Sequence, residues 1–300
     1  MVRIAHIINP VKVNESSDLY KAQPITFQSI LNAKAFSAKK EEIILCTTQF
    51  EEDKEIIPPA FRQLSNLNRS VTDINGALTK KKLPLIKDVL EKLDEVDAAY
   101  YIYTNMDIAL MPYFYDSVLG YIDQGHDAMV INRRRLTADY NSMDQLPQMY
   151  ADMGRSHPGF DCFVFKKELL SRFILEEVCI GIPFVEVTLV HNIFSFARSP
   201  LFVPDKHLTF HIGMEVMPAR ENNYYRHNRS TFFTKIYPHL KPHFDIRKFP
   251  YSSLPAHKRA VKWALNPSLF TLNYLGLEKK NLLLKVKSLL NELRWRILQK

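Results

Sequence analysis

The residues best suited to chemistry lie at the end of an apolar run, in YIYTNMDIALM, residues 101–111. Asn105 and Asp107 follow aromatic and β-branched residues that predict a buried strand. An unpaired carboxylate is costly to bury, so we expect Asp107 at a strand end or with a partner such as a metal ion. The alternative is that Asp107 lies in a surface turn or caps the helix that Pro112 begins.

Polar side chains also follow other predicted strands. Asn9 follows the first strand, and Arg133 and Arg134 end a later one. In an open α/β sheet, ligands bind outside the carboxyl ends of the parallel strands. A carboxylate, amides and a cationic cluster at this edge suit a diphosphate bound through a metal. Asp107 would hold the cation, and Arg133 or Arg134 would pair the remaining charge.

Strand and helix patterns alternate through the first half of the chain. β-type runs at residues 3–10, 42–50, 98–105 and 127–134 are separated by helical patterns at residues 24–39, 83–93 and 113–125. Pro24 is expected in the first turn of its helix, and Gly125 is expected to close the third. This order predicts an α/β fold with a mixed, mostly parallel sheet flanked by helices.

The second half is less regular. Residues 136–159 read as a long loop with one short helix, and loops of that length are usually functional. A strand runs into a helix at 160–173, a partly helical segment follows at 182–198, and residues 201–213 form a strand with a polar end. We predict a catalytic domain at 1–220 and a basic, mainly helical extension at 221–300.

Composition excludes two common enzyme classes. The chain has 300 residues and only 8 glycines, and it contains neither G-x-G-x-x-G nor G-x-x-x-x-G-K-[ST]. This argues against ordinary dinucleotide enzymes and P-loop ATPases. The spacing of Cys46, Cys162 and Cys179 suits neither zinc nor a disulfide framework, so buried reduced thiols are expected. No segment has the pattern of a signal peptide or a membrane span, which predicts a cytoplasmic protein.

The net charge of +8 favours anionic partners. The last predicted helix carries one apolar stripe among basic residues, formed by Leu282, Val286, Leu289, Leu293 and Ile297. Such a helix suits an anionic membrane surface, which would make the protein peripheral at the inner membrane face. Packing on the catalytic domain or self-association through the stripe is an equal alternative.

Four segments, in order, resemble a GT-A-type glycosyltransferase over residues 1–215: YYIYTNMDIAL, HPGFDCFVFKKEL, GIPFVEVTL and LTFHIG. That family carries a D-x-D motif for the divalent metal of a nucleotide-sugar donor. Asn105-Met106-Asp107 is similar, with Asn in place of the first Asp. The resemblance implies Mn²⁺ or Mg²⁺ as cofactor, a nucleotide-sugar donor, and a glycan or lipid-linked acceptor. It also suggests a role in bacterial surface glycan assembly.

The resemblance also assigns roles to residues. Asp107 and His211 would bind the metal, with His207 as a competing candidate. The donor would contact Asn9, Gln23, Asn105, Asp107, Arg133 and Arg134. The sugar and acceptor pocket would comprise His157, Gly159, Phe160 and Asp161. Glu186 lies among apolar residues, where its pKa should rise as a general base requires, with Asp161 as the second catalytic candidate. The alternative for Glu186 is a helix N-terminal residue favoured by the macrodipole.

Two other functions fit parts of the sequence. Nucleotidyl transfer on a similar sheet usually brings a Gly-rich loop after the first strand, and NPVKVNESSDLYKAQ contains no glycine. A nucleic-acid-binding protein would use the basic C-terminal region and its tyrosines. That reading leaves Asn105, Asp107 and Glu186 without a role, so we expect nucleic acid not to be a partner.

Overall fold

The computed structural model describes residues 2–74, 76, 78–212, 223–266 and 269. The chain divides into two compact units, Met1–Asp245 and Ile246–Lys300. The predicted domain boundary near residue 220 stays a prediction. Within the described ranges, no helix combines the length and apolarity needed to cross a membrane.

The first unit is built on one mixed sheet. Its strands are β1 (Ile4–Ile8), β2 (Ile43–Thr47), β3 (Arg62–Gln63), β4 (Tyr100–Thr104), β5 (Ile108–Leu110), β6 (Ala128–Arg135), β7 (Arg155–Lys166), β8 (Pro200–Val203) and β9 (Thr209–His211). The spatial order is β3-β2-β1-β4-β7-β6-β9-β5, and β8 pairs with β6. Strands β3, β2, β1 and β4 are mutually parallel, as are β6, β8 and β9, whereas β7 runs antiparallel to β4 and β6.

Helices occur in both units. They are α1 (Asp18–Phe36), α2 (Val71–Ile74), α3 (Ile86–Glu91), α4 (Phe114–Asp123), α5 (Leu146–Ala151), α6 (Lys167–Leu170), α7 (Val185–Phe196), α8 (Asn223–Thr231), α9 (Tyr237–Leu240) and α10 (Ala256–Leu265). A π-helix, Phe232–Ile236, joins α8 to α9. The predicted α/β fold with a mixed, mostly parallel sheet flanked by helices is confirmed.

Strand directions decide where the site lies. Because β4 and β6 both run antiparallel to β7, they point the same way and end at the same edge of the sheet as β1. This edge carries the residues that follow β1 and β4 and those that end β6, as the strand-end rule predicts.

The first helix begins earlier than predicted. Ser17 caps α1, and its side chain accepts a hydrogen bond from the Leu19 N–H. Pro24 lies inside the helix, not in its first turn, so that prediction is wrong. Proline is tolerated there at the loss of one backbone hydrogen bond, since the buried face around Ala22, Ile25 and Phe27 holds the helix to the core.

The stretch 136–159 is more ordered than predicted. It contains a 3₁₀ turn, Met143–Gln145, followed directly by α5. Ser142 and Gln145 form a capping box at its start. The last five residues, from Arg155, already belong to β7, because they pair with the end of β6. The predicted single strand at 201–213 is two strands, β8 and β9, which pair with successive parts of β6.

The three cysteines are free and buried, as expected. Burial raises the pKa of Cys46 and of Cys179 to about 12. Burial also raises the pKa of Cys162 well above its usual range. All three side chains are therefore neutral core thiols, and the Cys179 thiol donates to Asn228 Oδ1 at 3.2 Å.

In the second unit, α10 begins after Pro255. The Trp263 indole N–H donates to the Pro250 carbonyl at 2.8 Å, and its ring packs edge-on against Phe249. The predicted C-terminal helix, with its stripe from Leu282 to Ile297, lies outside the described residues.

Candidate active site

Asp107 and His211 meet at the carboxyl edge of the sheet. Asp107 lies in the turn between β4 and β5, and the β5–β9 pairing sets Ile108 opposite His211. His211 Nε2 is 3.1 Å from Asp107 Oδ2, and the side chains are 7% and 32% exposed, respectively. The predicted metal pair is therefore in contact, with the carboxylate open to solvent on one side.

This pair suits a divalent cation. Burial acts to raise the pKa of Asp107, but the hydrogen bond and charge of His211, together with Arg133, outweigh burial and lower that pKa. The carboxylate is thus ionised at neutral pH. Asp107 and His211 would hold such a cation through a carboxylate oxygen and an imidazole nitrogen. Among the described residues, no group of three or more His, Cys, Asp or Glu side chains is placed to hold a metal.

A second cluster joins β4, β6 and β7 beside this pair. Thr104 at the end of β4 lies opposite Cys162, which brings Asn105 next to Asp161. Asn105 Nδ2 donates to Asp161 Oδ1 at 3.0 Å, and Arg133 forms an ion pair with Asp161 Oδ2.

A bulge in β7 aims Asp161 at this cluster. The register places Ile131 opposite Cys162 and Asn132 opposite Phe160, so Asp161 is the extra residue of the bulge. Bulges of this kind recur next to active sites, where they redirect a side chain.

Glu186 lies in the first turn of α7 and is partly buried. Burial raises its pKa to about 7, and the nearby Asp161 carboxylate acts in the same direction against a partial offset by Arg133. The predicted rise in pKa is confirmed in direction and cause. A carboxyl group with this pKa is half ionised at neutral pH and can accept a proton from a hydroxyl group.

The residue that caps α7 has an unusual backbone. Phe184 has φ +90°, in the left-handed region that a bulky side chain rarely adopts. Its ring contacts Tyr225, Phe232 and Phe233, with ring centroids 5.6, 5.7 and 5.8 Å away. The last two rings belong to the π-helix, an element that recurs at functional sites. These contacts hold the turn that presents Glu186.

Asn9 and Gln23 hydrogen-bond to the backbone, and their predicted contact with the donor stays a prediction. Asn9 Nδ2 donates to the Thr48 carbonyl at 2.6 Å. The Gln23 side chain bonds both the N–H and the carbonyl of Val11, at 2.9 and 2.8 Å. Asp53 accepts from the Lys12 N–H at 2.7 Å. Side-chain hydrogen bonds therefore hold the backbone of the loop after β1, and this loop contains no glycine.

Arg134 points away from the cluster that holds Arg133. Its guanidinium pairs with Asp205 and donates to the Gly154 carbonyl at 3.1 Å. Arg134 therefore ties together two loops, and its predicted contact with the donor stays a prediction. His207, the competing metal candidate, lies outside the Asp107–His211 contact, and its carbonyl accepts from Tyr113 at 2.7 Å.

The predicted acceptor residues fall into two groups. Gly159 lies against His157, whose Nδ1 accepts from the Gly159 N–H at 2.9 Å. A Cβ at position 159 would come within 2.9 Å of that Nδ1 and 3.5 Å of Arg133 Cζ, so a larger residue there would require the His157 ring to move. Phe160 is buried and packs edge-on against Phe202, in the sheet.

Two residues of this site escaped the sequence analysis. Tyr103 donates its hydroxyl to Asn105 Oδ1 at 2.8 Å, and Phe184 shapes the turn before Glu186. The spacing of Tyr103 and Asn105, two residues apart on one side of a strand, is a signal that could have identified the first. Nothing in the sequence around Phe184 signals a left-handed residue.

No family model matches this chain, and no curated protein does. Among solved structures it is similar to TarS residues 1–349 from S. aureus, in complex with UDP-GlcNAc. That match has 11% identity, covers 93% of this chain and 76% of that one, and has a TM-score of 0.48. It is also similar to the mannosyltransferase PcManGT from Pyrobaculum calidifontis in complex with GDP-Man and Mn²⁺. Identity there is 14%, coverage is 92% and 78%, and the TM-score is 0.43. Because both TM-scores are below 0.5, the function proposed below rests on the site residues.

Proposed function

We propose that the protein transfers a sugar from a nucleotide-diphosphate donor to an acceptor hydroxyl group, with the help of a divalent cation. The observation that supports this most directly is that three sets of side chains with different chemical properties lie at one sheet edge. These are the Asp107–His211 pair, the Arg133–Asp161 ion pair, and Glu186 with its pKa of about 7.

The two pairs suit the departing nucleoside diphosphate. Asp107 and His211 would hold Mn²⁺ or Mg²⁺, which when bound supplies positive charge to the diphosphate oxygens. Arg133 supplies a second, fixed positive charge, and its guanidinium is held by Asp161 before any ligand arrives. A cation already in position stabilises a leaving group without reorganisation during the reaction.

Glu186 is suited to accept the proton of the attacking group, the acceptor hydroxyl. The acceptor hydroxyl oxygen forms the new bond to the sugar carbon, the bond from that carbon to the phosphate oxygen breaks, and the diphosphate leaves with the electron pair. The hydroxyl proton passes to the Glu186 carboxylate. This direct displacement inverts the configuration at the sugar carbon. The resemblance implies a glycan or lipid-linked acceptor, and a role in bacterial surface glycan assembly stays a prediction.

The direct test is a screen of nucleotide sugars by thermal shift, with and without Mn²⁺. We expect stabilisation by at least one nucleotide sugar that Mn²⁺ increases and EDTA removes. For the donor so identified, Glu186→Gln keeps the shape of the side chain and removes its basicity. We expect donor affinity within a few-fold of wild type and turnover lower by about 10²-fold or more.

The matched control is Glu168→Gln, since Glu168 is exposed in the first turn of α6. This variant should keep wild-type turnover. If no nucleotide sugar stabilises the protein under any metal condition, the proposed function is wrong. If Glu186→Gln turns over at the wild-type rate, Glu186 is not the general base.

A further inference from the structure

The side chain of Asn105 lies at the centre of a hydrogen-bonded chain. Asp161 can only accept hydrogen bonds when it is ionised, so the Asn105 atom that faces it at 3.0 Å must be the amide nitrogen. The amide oxygen then faces the Tyr103 hydroxyl at 2.8 Å, which donates to it. Both ends of the Asn105 amide are thereby engaged within the protein.

The residues around this series of hydrogen bonds are largely buried. Tyr103 is 1% exposed and Asp161 is 9% exposed. The Tyr103 ring also stacks on Phe163, the residue opposite it in β7. The far oxygen of Asp161 pairs with Arg133. The order of contacts is therefore Tyr103, Asn105, Asp161, Arg133, running from the strand core to the sheet edge.

We propose that Asn105 is a positioning residue and not a substitute metal ligand. Its amide holds the Asp161 carboxylate, and through it the Arg133 guanidinium, in the orientation that receives a diphosphate. The part of this inference that concerns the diphosphate rests on the proposed function. The hydrogen-bonded chain itself does not.

Asparagine is specifically required at this position. An aspartate at 105 would still accept from Tyr103, but it would set a second carboxylate oxygen about 3 Å from Asp161, where like charges repel. Arg133 would then face both carboxylates. Under the alternative, in which residue 105 is a free metal ligand, the same change would add a carboxylate to the metal site and tighten Mn²⁺ binding.

The first experiment needs no ligand. We expect Asn105→Asp to lower the midpoint of thermal unfolding at pH 8 by about 5 °C. We expect the double variant Asn105→Asp with Asp161→Asn to recover at least half of that loss, because it exchanges the amide and the carboxylate and restores one of each. Full stability of Asn105→Asp alone, or no recovery in the double variant, would overturn the chain of contacts.

The second experiment separates positioning from metal binding. Calorimetry measures the binding of Mn²⁺ alone and of UDP and GDP with Mn²⁺. Asn105→Asp should bind Mn²⁺ no more tightly than wild type and the nucleoside diphosphate about 10-fold more weakly. Tyr103→Phe should weaken the binding of the nucleoside diphosphate less than Asn105→Asp does. In an Asn105→Ala background it should cause no further loss, because both changes act through Asp161.

The outcomes distinguish the two proposals. Tighter Mn²⁺ binding by Asn105→Asp, or additive effects of Tyr103→Phe and Asn105→Ala, would overturn the positioning role. If wild type binds no nucleotide sugar and no nucleoside diphosphate while the unfolding results hold, the proposed function fails and the contacts from Tyr103 to Arg133 stand.

Discussion

Replacing Glu186 by glutamine should make the protein more stable, and only at the higher pH values. The pKa of Glu186 lies at about 7 in the folded protein, against an ordinary value of 4.5. The folded state therefore keeps a proton that the unfolded state has lost. A group of this kind contributes fully to stability below pH 4.5, and the contribution is lost as pH rises through 7.

The size of the effect follows from that difference in pKa. At about 1.4 kcal/mol per pH unit, the ionised Glu186 carboxylate costs at most about 3 kcal/mol of folding free energy above pH 8. Glutamine carries no charge at any pH, so Glu186→Gln removes this cost. We expect the free energy of unfolding to rise by 1–3 kcal/mol, on the order of magnitude set by this linkage, at pH 8.5 and to be unchanged at pH 4.

Urea denaturation followed by circular dichroism at several pH values between 4 and 8.5 measures this directly. Glu168→Gln serves as the control, since its exposed carboxylate should give the wild-type profile at every pH. A Glu186→Gln variant whose stability differs from wild type by the same amount at all pH values would contradict this prediction. In that case the residue does not titrate differently in the folded and unfolded states.

Two further predictions concern other titratable residues. Asp107→Ala should abolish the Mn²⁺-dependent part of the stabilisation by a nucleoside diphosphate, measured by calorimetry. The control, Asp97→Ala, changes an exposed residue and should keep that stabilisation. Retained metal dependence in Asp107→Ala would contradict the metal assignment. His6 is buried and hydrogen-bonds to Tyr115 and Thr104, and burial lowers its pKa from 6.5 to about 3. Its contribution to stability is therefore complete above pH 6.5 and is lost progressively as pH falls toward 3. The loss should reach about 2 kcal/mol at pH 5. His6→Gln should therefore reduce the dependence of the unfolding free energy on pH between pH 6 and pH 4. An unchanged dependence would show that His6 is not held neutral.

The strand-end rule explains how much of the site could be predicted from sequence. Asn105, Asp107 and Arg133 each follow or end a run of apolar residues, and parallel strands bring such positions to one edge. The contact between Asp107 and His211 depends on β5 and β9, each three residues long. Strands that short carry little periodic signal, so their pairing could not be derived and only the family resemblance suggested it.

Other features of the site have no local signal at all. The bulge at Asp161 arises from how β7 pairs with β6, and the left-handed Phe184 is held by rings some forty or more positions away along the chain. Pro24 was misplaced for a related reason, since tertiary packing of α1 overrides the tendency of proline to begin a helix. The sequence also does not show that the Gln23 amide is engaged by Val11, and the predicted contact of Gln23 with the donor stays a prediction.

The three buried thiols make the protein its own reporter of transient opening. Because burial raises the pKa of Cys46, Cys162 and Cys179, thiolate-selective reagents should modify them only when the surrounding structure opens. Cys162 adjoins Asp161 in β7, Cys46 lies in β2, and Cys179 lies between α6 and α7. Rates of modification, resolved by peptide mass, would therefore compare the opening of the site strand with that of β2 and of the segment between α6 and α7. A ligand bound at the sheet edge should slow the modification of Cys162 more than that of Cys46 or Cys179.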